Sequence, residues 1–259
     1  MNGHIIPKTN IAVDFWKIKG RQDILVHFLT HLHGDHTIGL TSTWNKPVHC
    51  SSFTAELLKS KYGISNKLLR VLPLNESVHI DTSSCGSFSV TACDANHCPG
   101  AVMFYFQGDF GNIFYTGDFR ASESLIESCL TLKGKIDVLY LDNTYCSPKC
   151  IFPSQEECFD KIVEIIRRYP DHDVLIGVQT LGKEFMLGRL GAALNETIAV
   201  SPEMYKICDY LFDTNVFTTI HLNEQSRIRA IPLQDLTRAY WQYPKHCIAI
   251  KPTALFAGM

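Results

Sequence analysis

The rhythm of apolar positions in this chain changes near residue 150. Before that point, short apolar, β-branched or aromatic runs predict strands at 11–16, 24–29, 88–92, 102–106, 112–115 and 138–141. Gly108-Asp109-Phe110-Gly111, between two of these runs, predicts a hairpin turn. One helix is expected over 54–62, stopping at Gly63. The first half therefore reads as a largely antiparallel sheet with few helices. Beyond residue 150, Ser154-Gln155-Glu156-Glu157 has capping-box form. It precedes 158–168, where apolar residues recur at 158, 159, 162, 163, 165 and 166, and Pro170 closes the helix. Strands at 173–178, 197–200 and 247–250 alternate with helices at 182–194 and 202–212. Such alternation predicts a parallel-sheet module. The expected division is residues 1–150 and 151–259, with no internal repeat or low-complexity tract between them.

Composition narrows this picture only a little. A chain of 259 residues, 46% hydrophobic and 19% charged, can bury a large core as an ordinary globular protein. Its net charge of −2 favours a small-molecule substrate, and any nucleic-acid contact must use a local basic patch. No apolar run reaches the ~18–20 residues of a membrane span. No basic stretch followed by a long apolar one opens the chain, so neither a signal peptide nor a membrane partner is expected. Ten scattered cysteines fit reduced thiols in the cytosol or nucleus. Cys146 and Cys150 are spaced like half of a zinc site, but no second pair follows.

The candidate chemistry is concentrated in Thr30-His31-Leu32-His33-Gly34-Asp35-His36, directly after a predicted strand. Residues two apart on an extended segment share a side, so His31 and His33 can converge on one ion. Gly34 permits a sharp turn that carries Asp35 and His36 to a neighbouring position. Imidazole and carboxylate donors suit zinc, and a zinc site with an open position can activate water. A histidine-rich surface loop is the bland alternative, and four such donors in six residues after a buried strand argue against it. His27, His49 and His79 alternate with apolar neighbours and read as packing or surface residues.

The HxHxDH pattern is similar to the signature of the metallo-β-lactamase fold. Further segments match it: Ala12-Val13-Asp14-Phe15-Trp16, Asp94-Ala95-Asn96-His97-Cys98-Pro99-Gly100, Tyr115-Thr116-Gly117-Asp118-Phe119-Arg120 and Leu141-Asp142-Asn143-Thr144. The last resembles the acidic motif opening the β-CASP insertion of nucleic-acid-processing members. Together with Leu181-Gly182-Lys183-Glu184, the wording resembles the DNA cross-link repair nucleases from about residue 3 to residue 253. The fold implied is an α/β, αββα metallo-β-lactamase sandwich, incomplete at the C-terminus, with an inserted β-CASP α/β module.

The resemblance also implies roles. His31, His33, His97 and Asp118 would hold one tight zinc, while Asp35, His36 and Asp118 would face a second, more exchangeable divalent metal. Asp14 and Asp142 would support these ligands from behind; the bland alternative for Asp14 is a turn cap, and Asp142 taken alone is equally typical of a turn residue. The implied reaction is phosphodiester hydrolysis, with Asp35, His36, Asp118 and Asp142 at the catalytic centre. Thr180 and Lys183, where a strand gives way to a helix, would dock the 5′-phosphate of a DNA end, with Thr253 adding a hydroxyl. The bland alternative for that segment is an ordinary capped helix with a solvated lysine. The implied activity is a nuclear 5′-to-3′ DNA exonuclease in interstrand cross-link repair and telomere end protection. A small-molecule hydrolase of lactamase or thioesterase type is the other enzyme class open to this metal core. The family continues past the Pro252-Thr253 segment with a further histidine, whereas this chain stops at Met259, and His221 and His246 stand in the wrong context to replace it. The expectation is therefore a truncated isoform or degenerate paralogue with reduced activity, lacking the tail that would meet telomere-binding proteins, and a non-catalytic metal-binding chain is the alternative.

Overall fold

The computed structural model describes residues 3–17, 23–82, 86–130, 132, 134–213, 215–220 and 226–253, so Cys85 and His221 lie outside the described residues. The chain divides into two compact units, residues 1–144 and 145–259.

The first unit contains two five-stranded sheets. In the first sheet, β1 (His4–Ile5), β2 (Ile11–Val13), β3 (Val26–Phe28), β4 (Val48–Cys50) and β5 (Leu69–Val71) lie in sequence order. Only the β1/β2 pair is antiparallel; the other three pairs are parallel. This corrects the antiparallel expectation for the start of the chain, and connection length is the reason. Parallel neighbours need a crossover rather than a tight turn. The histidine-rich turn follows β3, and helix α1 (Ser52–Tyr62) joins β4 to β5. The second sheet is β10 (Val138–Tyr140), β9 (Gly111–Tyr115), β8 (Val102–Gly108), β7 (Gly86–Asp94) and β6 (Ser77–Thr82). It is antiparallel except at β9/β10. The expected hairpin is present, with Gly108 paired to Gly111 and φ of +97° at Gly111.

Alternation explains how the sheets meet. Ile11, Val13, Val26 and Phe28 from the first sheet share one core with Phe88, Val90, Phe104, Phe106 and Ile113 from the second. Phe28 packs edge-on against Phe104 and Phe106 at 5.2 and 4.9 Å. On its other face the second sheet turns Cys93, Met103, Tyr105 and Phe114 toward Leu125 of α2 (Glu123–Leu130). Helix α1 buries Phe53, Ala55 and Leu58 and ends where expected, with Gly63 in the left-handed conformation. The result is a helix–sheet–sheet–helix sandwich.

The second unit is a single sheet in which every pair is parallel. Its order is β13 (Phe217–Thr219), β12 (Ile198–Val200), β14 (Ile228–Pro232), β11 (Asp173–Val178) and β15 (Cys247–Ile250). Helices α3 (Gln155–Arg168), α4 (Glu184–Leu194), α5 (Pro202–Leu211) and α6 (Leu236–Gln242) complete it. The capping box at Ser154 and Glu157 is made in both directions. Phe159, Ile162, Val163 and Ile166 of α3 enter a core with Val174, Ile176, Leu187, Leu190 and Ile198. Among the described residues, no helix is long and apolar enough to cross a membrane, and the nine cysteines are free.

Candidate metal centre

Strand β3 ends at Phe28, and the backbone runs extended into the histidine motif before closing in a 3-10 turn, Gly34–His36. Asp14, buried and at φ +53°, terminates the neighbouring β2 and turns its carboxylate toward this segment. It accepts from the Thr30 amide (2.8 Å), the Thr30 hydroxyl (2.7 Å) and His36 Nδ1 (2.7 Å). The Thr30 hydroxyl gives its one proton to Asp14, so it accepts from His31 Nδ1 at 3.0 Å. His31 is thereby fixed as the Nδ1–H tautomer, with a bare lone pair on Nε2.

That lone pair faces a cluster. His31 Nε2 and His97 Nε2 each lie 3.0 Å from His33 Nδ1. Asp118 Oδ2 stands 3.8 Å from His31 Nε2 and 3.6 Å from His97 Nε2. All four donor atoms lie within 4.8 Å of one another, and this is the one such group among the described residues. A tetrahedral ion bound at ~2.0–2.1 Å sets its ligand atoms about 3.4 Å apart, so the donor set fits a small divalent cation. The other Asp118 oxygen, Oδ1, is 3.1 Å from His36 Nε2, and Asp35 Oδ2 is 3.6 Å from the same nitrogen. Asp118 thus offers one oxygen to each half of the cluster.

Electrostatics prepare the imidazoles unequally. Burial, reinforced by His36, His33 and His97, holds His31 down to about 2. Burial and His33 hold His97 down to about 4. Both rings are therefore neutral, as a ligand must be. Burial opposes ionisation of Asp118, but the hydrogen bond from His36 and the nearby histidines outweigh it and hold the carboxyl down to about 2. Burial also pushes His36 down, yet hydrogen bonds to Asp118 and Asp14 raise it to about 10.

The remaining loops are tied to this frame. The Ala95 carbonyl accepts from the Arg120 amide at 2.9 Å, joining the His97 loop to the Asp118 loop. A Cβ on Gly117 would meet Thr30 at 2.8 Å, so glycine is what lets the Asp118 loop approach. The Trp16 indole donates to the His36 carbonyl at 2.7 Å. Asp142 caps a local turn, its Oδ1 accepting from the Thr144 amide and hydroxyl at 3.0 and 2.6 Å, and its charge is felt at His97. Cys146 is exposed and Cys150 half-buried, and among the described residues they belong to no metal-holding group. His27 is buried between Trp16 and Trp44, His49 stacks on Phe28, and His79 is exposed beside Asp81.

In the second unit, Thr180 is exposed, Lys183 stands at the N-cap position of α4 and Thr253 is half-buried. One backbone donor of this turn is already engaged: the Gly182 amide donates to Glu184 Oε2 at 2.8 Å. Glu184 is fully buried, burial raises its carboxyl above the usual carboxylate range, and its Oε1 has no hydrogen-bond partner among the described residues. Sequence reasoning missed the parts played by Thr30, Trp16 and Glu184. The threonine immediately before His31 is the one signal that could have been read.

Comparison with known proteins agrees with this geometry. Residues 16–174 match the model of the beta-lactamase superfamily domain. The chain is 41% identical to the 5′ exonuclease Apollo of Rattus norvegicus, over 98% of this chain and 48% of that protein. It is 40% identical to that of Gallus gallus, over 98% and 55%. It is 33% identical to the DNA cross-link repair 1A protein of Mus musculus, over 96% and 25%. The chain thus spans about half the length of the Apollo relatives it matches. A solved protein of unknown function from Enterococcus faecalis has a TM-score of 0.57, at 16% identity, over 87% of this chain and 57% of that one, a likeness of fold alone. With a sandwich of this kind and a histidine–aspartate cluster supplied by loops of both its sheets, the chain belongs to the beta-lactamase superfamily, in its metallo-β-lactamase form, and is related to the DNA cross-link repair proteins.

Proposed function

We propose that this chain is a metal-dependent 5′-to-3′ DNA exonuclease of interstrand cross-link repair, acting in the nucleus, with telomere end protection as its second setting. The observation carrying the proposal is the convergence of His31, His33, His97 and Asp118, with the second Asp118 oxygen turned toward His36 and Asp35. The relatives named as 5′ exonucleases and cross-link repair proteins supply the substrate class. Zinc at the four-donor group, with a second divalent ion facing Asp35, Asp118 and, once its Nε2 proton is displaced, His36, would supply Lewis-acid activation of water and neutralise charge on the phosphate. The chain's own residues do the rest. His31 is held in one tautomer by Thr30 and Asp14, His36 is held between Asp14 and Asp118, and Asp118 stays ionised. Asp142 supports the His97 side of the cluster through its charge. Lys183, with Thr180 and Thr253, receives the 5′-phosphate, the lysine acting as a point charge beside a turn whose Gly182 amide Glu184 already occupies. The second unit is read as the β-CASP module that guides the strand.

Purified protein should hold about one tightly bound zinc, and His97→Ala should lose it. A 5′-phosphorylated strand should release nucleotides faster than a 5′-hydroxyl strand, and Lys183→Ala should narrow that preference while leaving zinc content unchanged. A folded wild-type chain that takes up no metal, or equal handling of the two strands, would overturn the assignment.

A further inference from the structure

The two histidine-bearing loops of the metal cluster come from different sheets, yet both are hydrogen-bonded to the same helix. At the start of α1, Ser51 donates to the Gly100 carbonyl at 2.6 Å, and Thr54 donates to the same oxygen at 3.1 Å. Gly100 closes the turn that carries His97, with φ of +76°, and a Cβ there would stand 2.8 Å from Phe53 of the same helix. At the other end of α1, the Tyr62 hydroxyl donates to Thr37 Oγ1 at 3.0 Å. Thr37 in turn donates to the carbonyls of His33 and Gly34, at 3.3 and 3.2 Å, closing the turn that carries His33, Asp35 and His36. Ser51, Thr54 and Thr37 are all buried. One rigid element of 11 residues thus grips the His97 loop at its first turn and the His33–His36 turn at its last.

We propose that α1 is a brace for the metal centre, in which Ser51 and Tyr62 are positioning residues that set the distance between the His97 loop and the His33–His36 turn. This rests on the metal-centre reading above and goes beyond it, because neither residue reaches the donor atoms themselves. A hydroxyl lost at either end frees one loop, and the His33–His97 separation of 3.0 Å is the quantity that relaxes. Supporting groups behind metal ligands are worth ~10–100-fold in metal affinity, and the brace belongs to that range. A capping role alone would instead cost helix stability and leave affinity untouched.

The test compares Ser51→Ala, Ser51→Thr and Tyr62→Phe with wild type in the full chain, with Ser154→Ala, which removes the cap of a helix in the other unit, as the control. Zinc and cobalt(II) affinities are measured by chelator competition, and the visible absorption of the cobalt(II) form reports the ligand geometry. Ser51→Ala and Tyr62→Phe should each weaken metal binding about tenfold and alter the cobalt(II) spectrum. Ser51→Thr should restore both, and Ser154→Ala should change neither. If Ser51→Ala does not fold, Tyr62→Phe, which removes a single partly buried hydroxyl, decides the matter alone. Wild-type affinity and spectrum in a folded Tyr62→Phe chain would overturn the brace while leaving the metal centre standing. Failure of the wild type to bind either ion would instead overturn the metal centre.

Discussion

At the scale of single residues, Thr30 decides how the cluster is held. Its hydroxyl has one proton and gives it to Asp14, so the same oxygen must accept from His31. Thr30→Val keeps the shape and removes both bonds, leaving Asp14 Oδ2 with His36 alone and His31 Nδ1 with no acceptor at that position. The expected result is a 10–100-fold loss of zinc affinity and a stability loss of ~1–3 kcal/mol from buried polar atoms left unpaired. Thr30→Ser should recover most of both. Competition with a chelator and urea denaturation measure the two effects, and an unchanged zinc affinity in Thr30→Val would count against the relay. This residue also shows the limit of reading the site from sequence. The HxHxDH motif is legible because its donors sit within six residues and no common structural role needs that combination. Thr30, Ser51 and Tyr62 are ordinary residue types, and their importance lies in distances to atoms 16, 49 and 25 positions away.

At the scale of elements, legibility follows the helical repeat and the unbroken apolar run. Helix α3 was readable because a capping box precedes a full amphipathic repeat of 14 residues. Strands β4, β5 and β13, of three residues each, were not anticipated, and neither were β6 and β14, of six and five; the equally short β2, β3, β10 and β12 were, because each sits in a longer, mostly apolar run. Helix α2 was also missed, and Ser122 and Ser124 around its start read more readily as a turn. The first sheet carries a further consequence through its histidines. Burial, then the charges of Lys46 and His49, hold His27 down to about 3. Burial holds His49 down to about 4, although its bond to the His27 carbonyl opposes this. Both rings are neutral in the folded chain, whereas the unfolded chain takes up protons below about pH 6.5. The unfolded state then binds more protons, so stability falls as pH falls. The window runs from about 6.5 down to about 4 for His49 and about 3 for His27, at ~1.4 kcal/mol per pH unit for each group. Among the described residues, neither buried His27 nitrogen has a hydrogen-bond partner. His27→Phe should therefore fold at pH 7 with undiminished stability and lose one histidine's share of the acid slope. Denaturation midpoints at pH 7, 6 and 5 under one metal condition test this, and a slope equal to wild type would refute it.

At the scale of the whole molecule, the change of rhythm near residue 150 corresponds to two different packing problems. Residues 1–144 bury a core between two sheets, while residues 145–259 bury helices against one parallel sheet. Every donor of the metal cluster lies in the first unit, so metal binding stabilises that unit by mass action. Adding zinc to metal-free protein should slow amide exchange through β3, the His31–His36 turn and the His97 and Asp118 loops. Exchange in α3, β11 and α4 should stay within twofold of its metal-free rate, read by mass spectrometry. Equal protection of both units would show that the ion acts on the chain as a whole. Asp118 gives the cluster a genetic character as well. Because its two oxygens serve different halves, a change that shifts its carboxylate toward His97 draws it away from His36, and the reverse. Substitutions on the two sides are therefore expected to be epistatic, the effect of a variant at Asp35 or His36 depending on which residues stand at positions 33 and 97. Natural variation at these positions is expected to move in concert, with Asp118 the one member that has no compensating replacement.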